Sequence, residues 1–382
     1  MHTYDVIIIG LGGMGSAAAY QLARRGKRVL GLERFTAAHS QGSSHGKSRI
    51  IRQAYFEHPD YVPLLMRAYE LWEQIEHDSA MQLLTLTGGL MIGQAGSHTL
   101  EGSIHSATRY DLPHELLDAA EIRRRFPPLQ VADSFRALYE NKAGFVHPEQ
   151  SVSAHIQQAE LLGADLHFEE PALHWEARDD HVLVRTARGR YTAERLIIAP
   201  GAWAPELLAD LDVQLTVERN ILFWFEPVAG ITAFLSDRFP IYIWETAPGV
   251  QLYGFPAQAG PPGGVKVALF HSGSVCTPET IDRQVHGHEI EHMRSMLAEH
   301  IPWLNGTLLE TATCMYTSTA DQHFIVALHP HHANVVVASP CSGHGYKFAS
   351  VMGEILADLA TLGSTRHPIG LFDPRRLLQD EG

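Results

Sequence analysis

Gly10, Gly12 and Gly15 stand at the spacing G-x-G-x-x-G, between the apolar run 4–9 and an Ala-rich stretch over 16–25. That setting predicts strand, turn and helix. Gly10 permits the tight turn, Gly12 lets the backbone approach a pyrophosphate, and Gly15 lets helix and strand pack closely. Gly13 and Met14 open the helix, whose free N–H groups and positive dipole end suit phosphate. Glu33 closes a second apolar run, Val29 to Leu32, eighteen residues beyond Gly15. An acid there accepts hydrogen bonds from ribose hydroxyls and repels a 2′-phosphate, which disfavours NADP. The motif alone does not separate FAD from NAD.

Other residues could do chemistry but read ambiguously by themselves. Lys266 sits in the otherwise apolar run 265–270, an unusual place for an ammonium; function and accident balance. Arg52 and Lys347 could clamp a carboxylate, the arginine with a planar fork and the lysine with a point charge. Unaided, each reads as a solvated surface charge, the usual place of Arg and Lys. Cys314, unaided, reads as a buried core cysteine, as do Cys276 and Cys341.

Composition narrows the partners. The chain has 382 residues, 45% of them hydrophobic, and a formal net charge of −14. This length fits two domains. No basic cluster exceeds Arg123-Arg124-Arg125, and so acidic a surface repels nucleic acid and acidic membranes, which favours a small-molecule partner. Three separated cysteines argue against a disulfide scaffold or zinc site and suit a reducing cytoplasm. No run approaches the ~20 apolar residues of a membrane span. A strand beginning at Tyr4 leaves no room for a signal peptide. The 24 histidines, among them His58, His105, His155 and His174, are scattered and read mostly as surface, and no metal is expected.

The elements that must position these residues can be read in order. An apolar stripe of Leu64, Leu65, Ala68, Leu71 and Trp72 predicts a helix over 61–76. Residues 83–147 are mixed. A helix over 153–162 leads to a hairpin-like section, 182–192, and a buried strand, 196–199, ending at Pro200-Gly201-Ala202-Trp203. An aromatic-rich alternation over 217–266 predicts an antiparallel sheet with one face free to line a pocket. A strand over 334–338, a Gly-rich turn over 342–345 and a helix over 348–362 follow. The order predicts a parallel-sheet dinucleotide domain (1–82, 148–215, 318–382) interrupted by a mainly antiparallel catalytic domain (83–147, 216–317).

Four motifs, in order and at family spacing, carry a resemblance over nearly the whole chain. They are S-x-H-G-x-S-R-I-I-R at 43–52, Y-G-F-P at 253–256, C-M-Y-T at 314–317 and S-G-H-G-Y-K-F at 342–348. The chain resembles the monomeric sarcosine oxidase and N-methyltryptophan oxidase family. The resemblance implies an α/β fold with a glutathione-reductase-like FAD-binding domain and an inserted catalytic domain on a mainly antiparallel sheet. It implies oxidation of an N-methyl amino acid by oxygen in a monomeric, cytoplasmic flavoprotein, giving the demethylated amino acid, formaldehyde and hydrogen peroxide. Alternatives are another secondary or cyclic amino acid, such as proline or pipecolate, or a flavin-binding subunit without turnover.

Within the resemblance, Cys314 in the frame Ala-Thr-Cys-Met-Tyr-Thr holds FAD through a thioether, with Met315 beside it. Ser43, Ser48, Arg49, Gly201, Trp203, Gly343, Gly345 and Lys347 join the glycine motif in binding the cofactor. Arg52 and Lys347 become the carboxylate clamp. Arg49 and Lys266 become a cationic pair beside flavin N5, and His45 and Tyr253 resemble flavin-contact and pocket residues. Two positions depart from the family. Its histidine four residues after the lysine is Phe270 here, with His271 next, and its acid before Ser48 is Lys47. Strand alternation puts positions 266, 268 and 270 on one face, so Phe270 is expected to line the pocket unless a bulge returns His271.

Overall fold

The computed structural model describes residues 4–228, 230–258 and 263–378. Strand Tyr4–Ile9 lies between Val29–Leu32 and Arg190–Ile198, parallel to both. Its run is continuously apolar because both faces are covered. Val6 and Ile8 join the larger core under the helices, while Ile7 and Ile9 pack on the opposite side. Strands Asp165–His167 and His332–Ser339 extend the parallel sheet on either side. Ile325–His329 pairs antiparallel at one edge, and the hairpin His174–Ala177 with Val182–Arg185 runs off the first half of Arg190–Ile198. Helix Gly13–Arg24 packs against helices Pro148–Leu161 and Ala349–Leu362. The strand ends at Ile9, Leu32 and Ile198 therefore meet beside the first helix's N-terminus, where a doubly wound sheet takes its ligand.

A second, nine-stranded sheet holds the aromatic-rich region. Its antiparallel centre comprises Leu308–Ser318, Thr216–Phe225, Val265–Phe270, Val250–Ala257 and Ile241–Ala247. Strand Gly89–Gln94 joins in parallel, and Phe135–Glu140 and Glu115–Asp118 complete the edge. Side chains alternate between two faces. Phe223, Phe225, Val265, Val267 and Leu269 enter one core, and Leu222, Trp224, Ala268 and Cys314 form a cluster on the other face.

The mixed segment 83–147 divides between sheets. Leu84–Leu86 and Gly144–Val146 pair with Arg49–Ile51 in a small three-stranded sheet, which ties the ends of the segment to the 43–52 motif. The helix expected over 153–162 begins earlier, at Pro148. Proline at the first helical position and an acid after it suit a helix start, although the apolar stripe begins only at Val152. His155 is buried, not on the surface. It packs between Tyr20 and Trp72, and burial pushes its imidazole down to about 4. No helix among the described residues is long and apolar enough to cross a membrane.

Candidate active site

The glycine turn is dictated by close approach. Gly10 has φ +89°, and a Cβ there would lie 2.5 Å from the Ala199 carbonyl oxygen; one at Gly15 would lie 1.8 Å from the Gly10 oxygen. Gly12 meets nothing closer than Ser44 Oγ at 3.5 Å, because it faces a cavity of about 300 Å³. That cavity runs from Gly10–Met14 and Glu33, past Ser43, Gly201 and Trp203, to Arg49, Cys314, Met315, Gly343 and Gly345. Glu33 is held at its wall by the N–H groups of Leu11 at 2.9 Å and Phe35 at 3.0 Å, with His39 Nε2 at 3.3 Å. A carboxylate offers about four lone-pair sites, so acceptors remain for ribose hydroxyls. A helix N-terminus, a glycine facing open space and an acid beyond the second strand fit an FAD dinucleotide.

A smaller cavity of about 70 Å³ adjoins the far end. Arg49, Cys314, Tyr316, Gly343 and Tyr346 line both spaces. Ser48, Arg52, Tyr253, Lys266, Phe270 and Lys347 line the smaller one only. Cys314, opposite Asn220 in the sheet, is buried with Sγ 3.3 Å from Arg49 Nη2. The same guanidinium donates to the Ser43 and Ser48 carbonyls, both at 2.9 Å. Arg49 thus joins the 43–52 segment to the C-M-Y-T strand.

The clamp residues are both buried and both engaged. Arg52 donates from Nη2 to Glu57 Oε1 at 2.8 Å and Oε2 at 2.6 Å, and from Nη1 to the Ala54 carbonyl at 2.9 Å. Its guanidinium carbon lies 4.3 Å from the Tyr55 ring centroid and 4.1 Å from that of Phe56. Lys347 Nζ donates to the His344 carbonyl at 2.6 Å. Burial, reinforced by Arg52 and opposed by Glu57, brings this ammonium down to about 7. Lys266 is fully buried, with Nζ donating to the carbonyls of Gly46 at 2.7 Å and Ser48 at 2.8 Å.

Tyr253 stands opposite Ala268, and its hydroxyl lies 3.4 Å from that of Tyr316. Strand Val265–Phe270 is regular, and the irregularity in this pairing falls on the opposite strand, between Gly254 and Ala257. Phe270 consequently shares the Lys266 face and lines the smaller cavity. His271, past the strand end at φ +48°, lies with Nδ1 3.0 Å from Glu218 Oε2 and lines neither cavity. His45 also lines neither. It is buried, its Nε2 has no hydrogen-bond partner among the described residues, and burial with the nearby Arg49 pushes it down to about 4.

Several lining residues escaped the sequence reading. Tyr316 stood inside a quoted motif without being chosen. Ser44 Oγ accepts the Gly13 N–H at 3.1 Å, while Glu57 carries no motif signal. Cys276 and Cys341, expected in the core, are half-buried, and Cys341 lines the larger cavity. His288 and His292 stand four apart on helix Gly287–His300, but among the described residues no third ligand joins them. Asp210, His329 and His332 do cluster. There His329 Nδ1 accepts the His331 N–H at 3.2 Å, which leaves the neutral ring's proton on Nε2, facing Asp210.

Known proteins share the sequence and fold of the chain. Residues 5–359 match the model of the FAD dependent oxidoreductase family. The chain is 58% identical to a monomeric sarcosine oxidase of Streptomyces avermitilis, over 98% of both chains. It is 35% identical to the N-methyl-L-tryptophan oxidase of Escherichia coli K12, over 94% of this chain and 95% of the other. Among solved structures, it superposes on NikD, an unusual amino acid oxidase essential for nikkomycin biosynthesis, with a TM-score of 0.83 at 25% identity over 98% of each chain.

Proposed function

The chain belongs to the FAD-dependent oxidoreductase family, together with the monomeric sarcosine oxidases, and we propose that it oxidises an N-methyl amino acid with oxygen. The products are the demethylated amino acid, formaldehyde and hydrogen peroxide. The observation that carries this reading is the set of five residues, headed by Arg49 and Cys314, shared by the cavity beside the glycine turn and a small cavity walled by Arg52 and Lys347. FAD, when bound, accepts two electrons from the substrate and passes them to oxygen.

Each residue has a part in this reading. Cys314 would hold FAD covalently as a thioether, the two electrons released when the S–H and a C–H give way to the C–S bond passing through the cofactor to oxygen. Arg52 and Lys347 take the substrate's carboxylate, once Glu57 has yielded the arginine's fork. Tyr253, Tyr316 and Phe270 wall the amine and keep water out. The neutral amine supplies the electrons itself, so no strong base is needed, and water hydrolyses the resulting imine to release formaldehyde. Lys266 and Arg49 stabilise negative charge as it develops on oxygen. The FAD-binding part comprises 1–82, 148–215 and 318–382, the catalytic part 83–147 and 216–317, in a cytoplasmic monomer.

Phe270 favours one second reading. An apolar ring over the reacting centre suits proline, pipecolate or an N-methyl amino acid with an apolar side chain. The test is an anaerobic bleaching screen over sarcosine, N-methylated amino acids, proline and pipecolate. Rapid loss of flavin colour with one class identifies the substrate, and no loss with any of them rejects the proposal.

A further inference from the structure

Lys266 is seated by a strained turn. Its two carbonyl acceptors, on Gly46 and Ser48, flank Lys47, which has φ +67° after Gly46 at φ +97°. The Ser48 N–H donates back to the Gly46 oxygen at 2.8 Å, so Lys47 is the centre of a three-residue turn with positive φ. That turn form is rare and strained, more so for a residue with a Cβ. One carboxylate binds its amide groups, while Lys266, Arg49 and the titratable His147 bind its carbonyls. Glu149 Oε1 accepts the N–H of Gly46 at 2.6 Å and that of Lys47 at 3.0 Å. Glu149 reaches in from the first turn of helix Pro148–Leu161 and lines neither cavity, so it acts on the site only through this turn and its charge.

We propose that Glu149 positions Lys266 for the reaction with oxygen. Its Oε1 holds the turn in the form that presents two carbonyls to the ammonium, and its negative charge is the ammonium's counter-ion. The inference rests on Lys266 as the residue that favours oxygen reduction.

The charged groups around the ammonium come from several elements: Arg49 and Lys47 from the 43–52 segment and Glu149 from its helix. His45, in the same segment, stays neutral above about pH 4, and Cys314 on strand Leu308–Ser318 carries no charge once it is a thioether. The Phe255 and Trp224 rings cover the ammonium, with centroids at 4.7 and 5.5 Å. Burial pushes Lys266 well below the usual lysine range and Arg49 pushes the same way, while Glu149 opposes them. Without that charge the ammonium gives up its proton at lower pH.

The experiment mixes substrate-reduced holoenzyme with oxygen in a stopped-flow instrument across pH 6 to 9. Glu149→Gln, which keeps an acceptor but removes the charge, and Glu149→Ala, which removes both, are each made in the parent and in Lys266→Met. Anaerobic reduction should stay within about threefold of the parent, since Glu149 lies outside both cavities. Reoxidation in Glu149→Gln should lose its upper pH limb about one unit earlier, and Glu149→Ala should reoxidise about tenfold slower throughout. Neither change should slow Lys266→Met further, as expected of residues acting as one unit. If Glu149→Ala does not fold, the displaced profile of Glu149→Gln decides. Slow Lys266→Met beside Glu149 variants with parental rate and profile overturns the role of Glu149 and leaves that of Lys266 standing. Parental reoxidation in Lys266→Met overturns both.

Discussion

Arg52 Nη2 spans both carboxylate oxygens of Glu57, at 2.8 and 2.6 Å, in the wall of the smaller cavity. The guanidinium proposed for the substrate's carboxylate already holds a carboxylate of the protein through Nη2, while its buried Nε has no hydrogen-bond partner among the described residues. Binding is therefore an exchange of one charge-assisted pair for another. Its net gain is smaller than the ~1.5–3 kcal/mol of a hydrogen bond to a charged group.

Two substitutions test the exchange in opposite directions. Arg52→Met should weaken binding of a non-oxidisable carboxylate such as acetate by about 1 kcal/mol, below the ~1.5–3 kcal/mol of an uncontested hydrogen bond to a charged group, read from the flavin's spectral change. Glu57→Gln removes the competing charge and should tighten the same ligand several-fold. Amines lacking a carboxylate should respond little to either. Equal losses for both ligand classes in Arg52→Met would indicate a damaged fold instead of a lost clamp.

Lys347 gives the clamp a pH dependence whose sign can be worked out. Its ammonium gives up its proton near pH 7 in the free protein, chiefly through burial and then through Arg52. A bound carboxylate favours the charged form and raises that value. The ligand therefore binds with full strength below about 7 and loses affinity as pH rises above it, until the raised value is reached. Acetate titrations from pH 6 to 9 should show this decline, and Lys347→Met should bind weakly with a flat profile. A decline that survives in Lys347→Met would assign the titration to another group.

The parts read most securely from sequence are those whose physical reason is local. The glycine turn is one, because Gly15 cannot carry a Cβ against the Gly10 carbonyl. Lys266 and Phe270 are another case, since period-two alternation in 265–270 puts both on one face whatever the sheet pairs with. Glu57 and Glu149 could not be read in this way. Each acts through a contact set by the path of a loop or by another segment 100 residues away, and no periodicity encodes that. The three-stranded sheet was hidden for a related reason. Its strands are three residues long, too short for an alternation to register, and they are joined across 84–86 and 144–146. His155 misled because imidazole reads as a polar type, although Ala154 and Ile156 beside it in sequence are as apolar as the core where it meets Tyr20 and Trp72.

Covalent attachment at Cys314 has a direct chemical test. Sγ lies 3.3 Å from Arg49 Nη2 in the wall shared by the two cavities, where a bound cofactor would meet it. Acid-denatured protein should keep its yellow colour in the pellet, and a Cys314→Ala pellet should be colourless. Yellow supernatant over a white pellet from the unmodified protein would rule the link out.

Phe270 and His271 separate the substrate readings. The Phe270 ring lies 5.5 Å from that of Tyr316, and its Cε2 is 2.6 Å from where a Gly343 Cβ would stand, so the ring is pressed between two residues lining the larger cavity. His271 has turned to Glu218, whose other oxygen accepts the Gly273 N–H at 3.0 Å. Loss of the His271 imidazole therefore breaks a contact outside the pocket. His271→Ala should cost about 1 kcal/mol of stability, the scale of one hydrogen bond, while leaving kcat/KM within about twofold. Phe270→His puts a smaller, polar ring over the reacting centre. It should raise kcat/KM for sarcosine relative to proline and to N-methyl amino acids with apolar side chains, a ratio read from competing substrates in one assay. A tenfold loss of kcat/KM in well-folded His271→Ala, ~1.4 kcal/mol of transition-state stabilisation, would mean that His271 turns back into the pocket during catalysis. Phe270 would then lose its claim to set the substrate.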